Sequence, residues 1–320
     1  MNAWSEGCDR DSETMCGMGW RRGAVVRRRP FERMVGMGGG GGMIRIGDMA
    51  PHPDGNPIVS GGGGSVVAMR SGPGGPAGAP ETRPIDVVTL TGDEVDTRVL
   101  AEGWQPPRGE PTPIEGGGVS FRMSSPGPAT FEPALLVGVL PDGGVVFSDS
   151  SAYALKVTAP DGTLTRVLRR PFRPDRVTER MQENERARRL EELEAGEGPQ
   201  MRVMVGGRGG GAAQPLGQDQ MREIMRNQIA QMHFFGELPV VQDLQASWTG
   251  EVWVERRGQE PTGPGPIDVL TTDGRYMGTF PAATTQMPSS FGPDGMAAFI
   301  ELDDFDVPSV IVRRLPPVLN

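Results

Sequence analysis

The sequence predicts an all-β chain, a β-propeller of four-stranded antiparallel blades, on three observations. Turn-plus-strand units recur at Asp54-Gly55-Asn56-Pro57-Ile58-Val59-Ser60, Asp142-Gly143-Gly144-Val145-Val146-Phe147-Ser148, Thr249-Gly250-Glu251-Val252-Trp253-Val254-Glu255 and Asp294-Gly295-Met296-Ala297-Ala298-Phe299-Ile300-Glu301. Asp-Gly between alternating strands signals a hairpin, because the tight primed turns need positive φ. A second unit, an apolar-alternating strand running into a glycine turn, recurs at Pro84–Gly92, Tyr153–Gly162 and Pro266–Gly274. The third observation is spacing: Gly250 and Gly295 stand 45 positions apart, which suits a blade of about 40–45 residues.

Together the units read as strand a, turn, strand b, loop, strand c, turn, strand d. The clearest copy is Leu135–Arg170, with strands at Leu135–Leu140, Val145–Ser148, Ala152–Thr158 and Leu164–Leu168. Four blades are recognisable, at about 44–104, 131–172, 238–281 and 287–316. Gly55 to Gly143 is 88 positions and Gly143 to Gly250 is 107, so both intervals hold extra chain. The first excess lies in Gly61–Pro80 and Gln105–Pro128, and the second is an insertion within 171–237.

The predicted domains are an irregular or disordered tail over 1–43 and a propeller body over 44–320 that carries the helical, low-complexity insertion. In that insertion Asp175 is positioned to cap a helix running to about Ala195, whose Glu/Arg content suits a solvated surface. Asp219 is positioned to cap a second helix with Met221, Ile224, Met225, Ile229, Met232 and Phe235 on one apolar face. That helix is expected to pack on the body, and Gly196–Pro215 to be disordered. Trp253 alternates with Val252 and Val254, so it is expected to fill the space between neighbouring blades, while Trp248 precedes the turn and is expected to be partly exposed.

Composition narrows the function. Lys and Arg total 32 against 41 Asp and Glu, a net charge of −9, so the electrostatic footprint of a general nucleic-acid binder is missing. The basic cluster Arg21, Arg22, Arg27, Arg28 and Arg29 has no amphipathic pattern and reads as a solvated run. No apolar run approaches the roughly 18 residues of a membrane span, and Met1–Trp20 lacks the apolar core of a secretory signal. Glycine (48) and proline (31) make about a quarter of the chain, unevenly spread, which predicts a folded part interrupted by loose inserts. Cys8 and Cys16, the only cysteines, read as unpaired thiols in the tail.

The turn-strand units, above all Asp142–Pro171 and Leu238–Leu315, resemble the six-bladed β-propellers of the NHL-like type, over about two-thirds of the chain. The resemblance implies a bacterial protein of that kind, often exported, a binding module or, in a few members, a lyase or hydrolase with an axial metal ion. The chain departs from the pattern in blade number and in lacking an export signal. Both departures would follow if its N-terminal part were incomplete, in which case the resemblance implies an extracytoplasmic protein.

Blade order puts the a–b and c–d turns at one end. The b–c loops and d-to-a connections share the other, with the insertion walling it. Ser148–Ser151, Glu255–Gly265 and Glu301–Pro308 therefore share one rim, and Asp149, Arg256, Arg257, Glu301 and Asp303 are the ligand-binding candidates. Neither histidine, His52 or His233, belongs to a zinc-ligand spacing. Glu301, Asp303, Asp304 and Asp306 could hold calcium or another divalent cation but lack the EF-hand pattern. Gly36–Gly41 matches G-x-G-x-x-G without the strand and helix that would make it a dinucleotide site. Gly206–Gly211 reads as a linker. The expectation is a module without catalysis and without a cofactor, binding an unknown small molecule or protein. The alternative is a metal-dependent propeller hydrolase or lyase using axial carboxylates.

Overall fold

A tight hairpin between right-twisted strands needs a residue at positive φ, and glycine adopts it without steric cost. In the computed structural model of the chain, Gly55, Gly143, Gly162, Gly250, Gly274 and Gly295 all stand at φ between +70° and +94°. Each closes a hairpin anticipated from the repeats. The structure describes residues 48–60, 82–91, 94–107, 113–116, 119–122, 128–195, 204–205, 214–215, 217–258, 263–302 and 307–315.

The first blade holds strands β1 (Asp48–Pro51), β2 (Pro57–Ser60), β3 (Thr82–Thr91) and β4 (Glu94–Trp104), antiparallel in chain order. A separate hairpin, β5 (Pro113–Gly116) and β6 (Val119–Arg122), follows it. The second blade is β7 (Leu136–Val139), β8 (Val145–Ser148), β9 (Ala154–Thr158) and β10 (Leu164–Arg169). Its limits fall within two residues of the sequence reading.

The insertion starts at β11 (Asp175–Arg176). It holds α1 (Glu179–Ala195), the pair β12 (Met204–Val205) and β13 (Gln214–Pro215), and α2 (Gln218–Ala230), and returns through β14 (Glu237–Leu238). The third blade is β15 (Val241–Ala246), β16 (Glu251–Arg256), β17 (Ile267–Thr271) and β18 (Tyr276–Phe280). The fourth has three strands among the described residues: β19 (Ser290–Phe291), β20 (Met296–Leu302) and β21 (Pro308–Arg314).

The molecule is therefore mostly β, a propeller-like arrangement of four blades. The first strands of successive blades lie side by side on the inner side, β1 against β7 and β7 against β15. Alternation along each strand sends one set of side chains to the preceding blade and the other to the following one, so burial runs between blades. One core joins Ile58, Ile85 and Val87 of the first blade to Val137, Val145 and Phe147 of the second. The next joins Val146, Leu155 and Val157 to Leu244, Val252 and Val254. The third joins Trp253, Ile267 and Val269 to Phe291, Ala297 and Phe299. Trp253 is buried, as the alternation predicts, and Trp248 is about half exposed, as its place before the turn predicts.

Two blades also touch through their turns. The His52 Nε2 lies 3.0 Å from the Gly143 carbonyl oxygen, linking the first a–b turn to the second. At Gly162 a Cβ would overlap the Leu100 carbonyl oxygen, so the second blade's c–d turn sits against the first blade's backbone.

The insertion corrects the sequence reading in its caps. Asp175 lies in β11, paired with Leu238, and α1 begins after Thr178, whose Oγ1 accepts the Met181 N–H at 3.3 Å. The N-cap of α2 is Gly217, two residues before Asp219; its N–H donates to the Gln220 side chain at 3.1 Å. No residue of α1 is buried, which fits its solvated composition. Of the apolar face expected on α2, only Ile224 within the helix is buried. The helix lies against β5 and α1; the β5–β6 pair stands in the Gln105–Pro128 stretch, which the sequence predicts as a loop. Of Gly196–Pro215, the described residues are the β12–β13 pair; the rest of that stretch, the 1–43 tail with its two cysteines, and Gly61–Pro80 lie outside the described residues.

Candidate functional site

Burial of a polar side chain costs free energy unless its partners are buried with it, so polar clusters inside the seams show where the rim is fixed. At the seam of the first and second blades, buried Arg83 donates to the carbonyls of Trp104 (2.9 Å), Pro133 (2.8 Å) and Asp149 (3.0 Å). The Asp149 carboxylate is itself buried, accepting the Trp104 N–H at 2.7 Å and the Lys156 ammonium at 2.5 Å. One guanidinium and one carboxylate thus tie strands β3 and β4, the 133 segment and the second blade's b–c loop into one corner.

The seam of the second and third blades is closed by Asp268, which is fully buried. Its carboxylate accepts hydrogen bonds from Arg256 Nε at 2.9 Å and the Thr279 hydroxyl at 2.5 Å, and Arg170 Nη1 lies 2.5 Å from it as an ion pair without hydrogen-bond alignment. Arg170 extends from the second blade across the Tyr153, Phe172 and Tyr276 rings, closest to Tyr276 at 4.2 Å from its centroid, and Arg256 lies 4.2 Å from the Phe172 centroid. Burial pulls the Arg170 guanidinium down, and the Asp268 carboxylate more than offsets it. Burial, reinforced by Asp268, pushes the Tyr153 phenol well up, so it stays protonated.

The insertion returns onto this rim at several points. The Thr130 N–H donates to the His233 carbonyl and the Phe235 N–H to the Thr130 carbonyl, both at 2.8 Å. The Ser151 hydroxyl bonds Glu237, and the Val240 N–H bonds the Ser151 carbonyl at 2.8 Å. Trp104 meets Phe235 edge to face at 6.5 Å, and Arg186 of α1 lies 4.8 Å from the Phe234 centroid.

The sequence candidates fall into this frame unevenly. Asp149, Arg256 and Glu301 each stand six residues after a left-handed turn glycine, Gly143, Gly250 and Gly295, so they are repeat-equivalent. Each reaches a partner on the next strand: Lys156, Asp268 and, for Glu301, Arg313 at 2.6 Å. Arg257 donates Nε to the Pro239 carbonyl at 3.0 Å; burial lowers its guanidinium, partly countered by Asp175. Asp303, with Asp304 and Asp306, lies outside the described residues.

Sequence reasoning missed Arg83, Arg170 and Asp268. A signal for one of them was present, since Pro84-Ile85-Asp86-Val87 and Pro266-Ile267-Asp268-Val269 place an acid inside an otherwise apolar strand.

Near the inner strand of the third blade, Asp243 and Glu255 stand directly opposite each other. Burial pushes the Glu255 carboxyl up, the Gly265 N–H at 2.9 Å opposes this, and the Asp243 charge adds to the rise. A carboxyl with a raised folded-state pKa holds its proton longer folded than unfolded. Its penalty therefore appears as pH rises from the ordinary carboxylate range through the raised value, and persists above it. Glu255→Gln should raise stability at neutral pH and leave it unchanged well below the carboxylate range. Parallel urea titrations at the two pH values check this, and an equal or lower midpoint at neutral pH would count against it.

Among the described residues no group of three or more His, Cys, Asp or Glu side chains is placed to hold a metal ion. No helix among them is long and apolar enough to cross a membrane. No family model matches the chain, and no curated protein matches it.

Proposed function

We propose that the chain is a non-catalytic binding module whose ligand meets the rim carrying the helical insertion. One observation carries the reading: the returning end of the insertion is bonded to the connection at Thr130, through His233 and Phe235, and to the b–c loop at Ser151, through Glu237, while its entering end pairs with that returning end through β11 and β14, which favours a fixed wall there. The side chains offered beside that wall are partly exposed cations and aromatics, Lys156, Arg170, Arg256, Trp104 and Tyr276. On a chain of net charge −9 that set favours an anionic or aromatic ligand. The six-bladed, NHL-like form of the resemblance rests on the repeats, and the binding reading does not need it.

The test is a thermal-shift screen of small carboxylates, phosphates and acidic peptides. A ligand at 100 times its Kd adds about 2.7 kcal/mol of stability, enough to read. The expected hit is lost in Trp104→Ala and weakened in Arg256→Lys. Hits unaffected by both substitutions would overturn the placement.

The second reading, a metal-dependent hydrolase or lyase, draws on the opposed Asp243 and Glu255 carboxylates. Stoichiometric metal in purified protein, with ester or lactone turnover abolished by a chelator, would establish it in place of the first.

A further inference from the structure

The repeat gives every blade a numbered set of faces. Residues two and four after the turn glycine point to the preceding blade, and the residue three after it points to the following one. In the second, third and fourth blades the first set is buried: Val145 and Phe147, Val252 and Val254, Ala297 and Phe299. In the first blade the equivalents Pro57 and Val59 are only half-buried. Conversely, Ile58, Val146 and Trp253 are buried, while their equivalent in the fourth blade, Ala298, is only half-buried.

Among the described residues no further blade packs on either of these two faces, and both expose apolar side chains. On the first blade, Val59 lies opposite Met49 and Asp86, and Val99, Leu90 and Val95 continue the surface at 52%, 66% and 56% exposure. On the fourth, Ala298 and Ile300 lie opposite Val312 and Val310, both 54% exposed, with Leu302 at 48%. Asp86 occupies the repeat position of Asp268, opposite the residue four after the turn glycine, and burial raises its carboxyl. Contiguous aliphatic faces of this kind mark interaction surfaces.

The two faces are the two halves of one interface, which the chain already makes three times. We propose that the occupant is a second copy of this chain, with the fourth blade of each copy packed on the first blade of the other. A head-to-tail contact of this kind either closes into a ring or runs on as a filament. Blade twist turns successive sheets about an axis, and propellers close with up to eight blades. Two copies bring together eight of the described blades, a number that fits closure as a two-fold ring in which both of these faces are covered.

The test is molar mass in solution by light scattering, at concentrations from about 1 to 100 µM, a span on both sides of a micromolar Kd. The expected mass is twice the chain's 34.2 kDa. Val99→Arg and Val310→Glu each alter a side chain exposed in the single copy, so each should keep the native circular dichroism spectrum. Each alone should return the mass to 34.2 kDa, because both contacts in the ring contain the altered face. A wild-type mass of 34.2 kDa throughout, a ladder of larger species, or a dimer that survives either substitution would overturn the proposal.

Discussion

Trp253→Ala is expected to cost about 3–5 kcal/mol of folding stability, the range for removing a fully buried large aromatic. Trp253 is 2% exposed and is the largest of the fully buried side chains. Its ring lies 5.3 Å from Phe280 in a stacked arrangement and 5.4 Å from Phe291 at a tilt, so it spans the third and fourth blades. Alanine would leave both rings facing a cavity, and strand backbone on either side restricts how far the site can collapse. Denaturant unfolding followed by circular dichroism checks the loss, and an unchanged midpoint would reject the placement. Trp248→Ala, on an exposed ring, should change stability by no more than about 0.5 kcal/mol.

The second large effect is expected at Asp268. Removing one partner of a buried ion pair costs about 3–5 kcal/mol, because the other charge is left uncompensated. Asp268→Ala leaves two guanidiniums, Arg170 and Arg256, without their shared carboxylate, while the Thr279 hydroxyl keeps Tyr276. A double-mutant cycle of Asp268→Ala with Arg170→Met should return part of the loss, since the second change removes one of the stranded charges. Additive losses would mean that Arg170 and Asp268 stabilise the seam independently, against the geometry described.

The blades were legible because each depends on short-range rules. Gly143, Gly162, Gly250 and Gly274 each sit where a hairpin needs positive φ, and alternation at Val252, Trp253 and Val254 fixed which side chain faces which neighbour. The polar corners were not legible. Arg83 bonds carbonyls 21, 50 and 66 positions away, and no local pattern encodes such a meeting. Helix starts were misplaced by a few residues, since Asp175 satisfies a capping rule locally but pairs with Leu238 through tertiary contact. The sequence shows an apolar face on α2 and points it at the propeller body, whereas the helix meets β5 and α1 and buries only Ile224; β5 lies in a stretch whose glycine and proline content masks a strand pattern.

The second and third blades carry their ion pair with reversed polarity. In one, the acid Asp149 follows strand b and Lys156 sits on strand c; in the other, Arg256 ends strand b and Asp268 sits on strand c. Chains of similar repeats risk misassembly, with a strand from one repeat joining its neighbour. Here such an exchange would set Asp149 against Asp268, or Arg256 against Lys156, in a desolvated seam where like charges repel strongly. The reversed polarity would disfavour that swapped pairing, which the shared apolar alternation of the strands alone would not exclude.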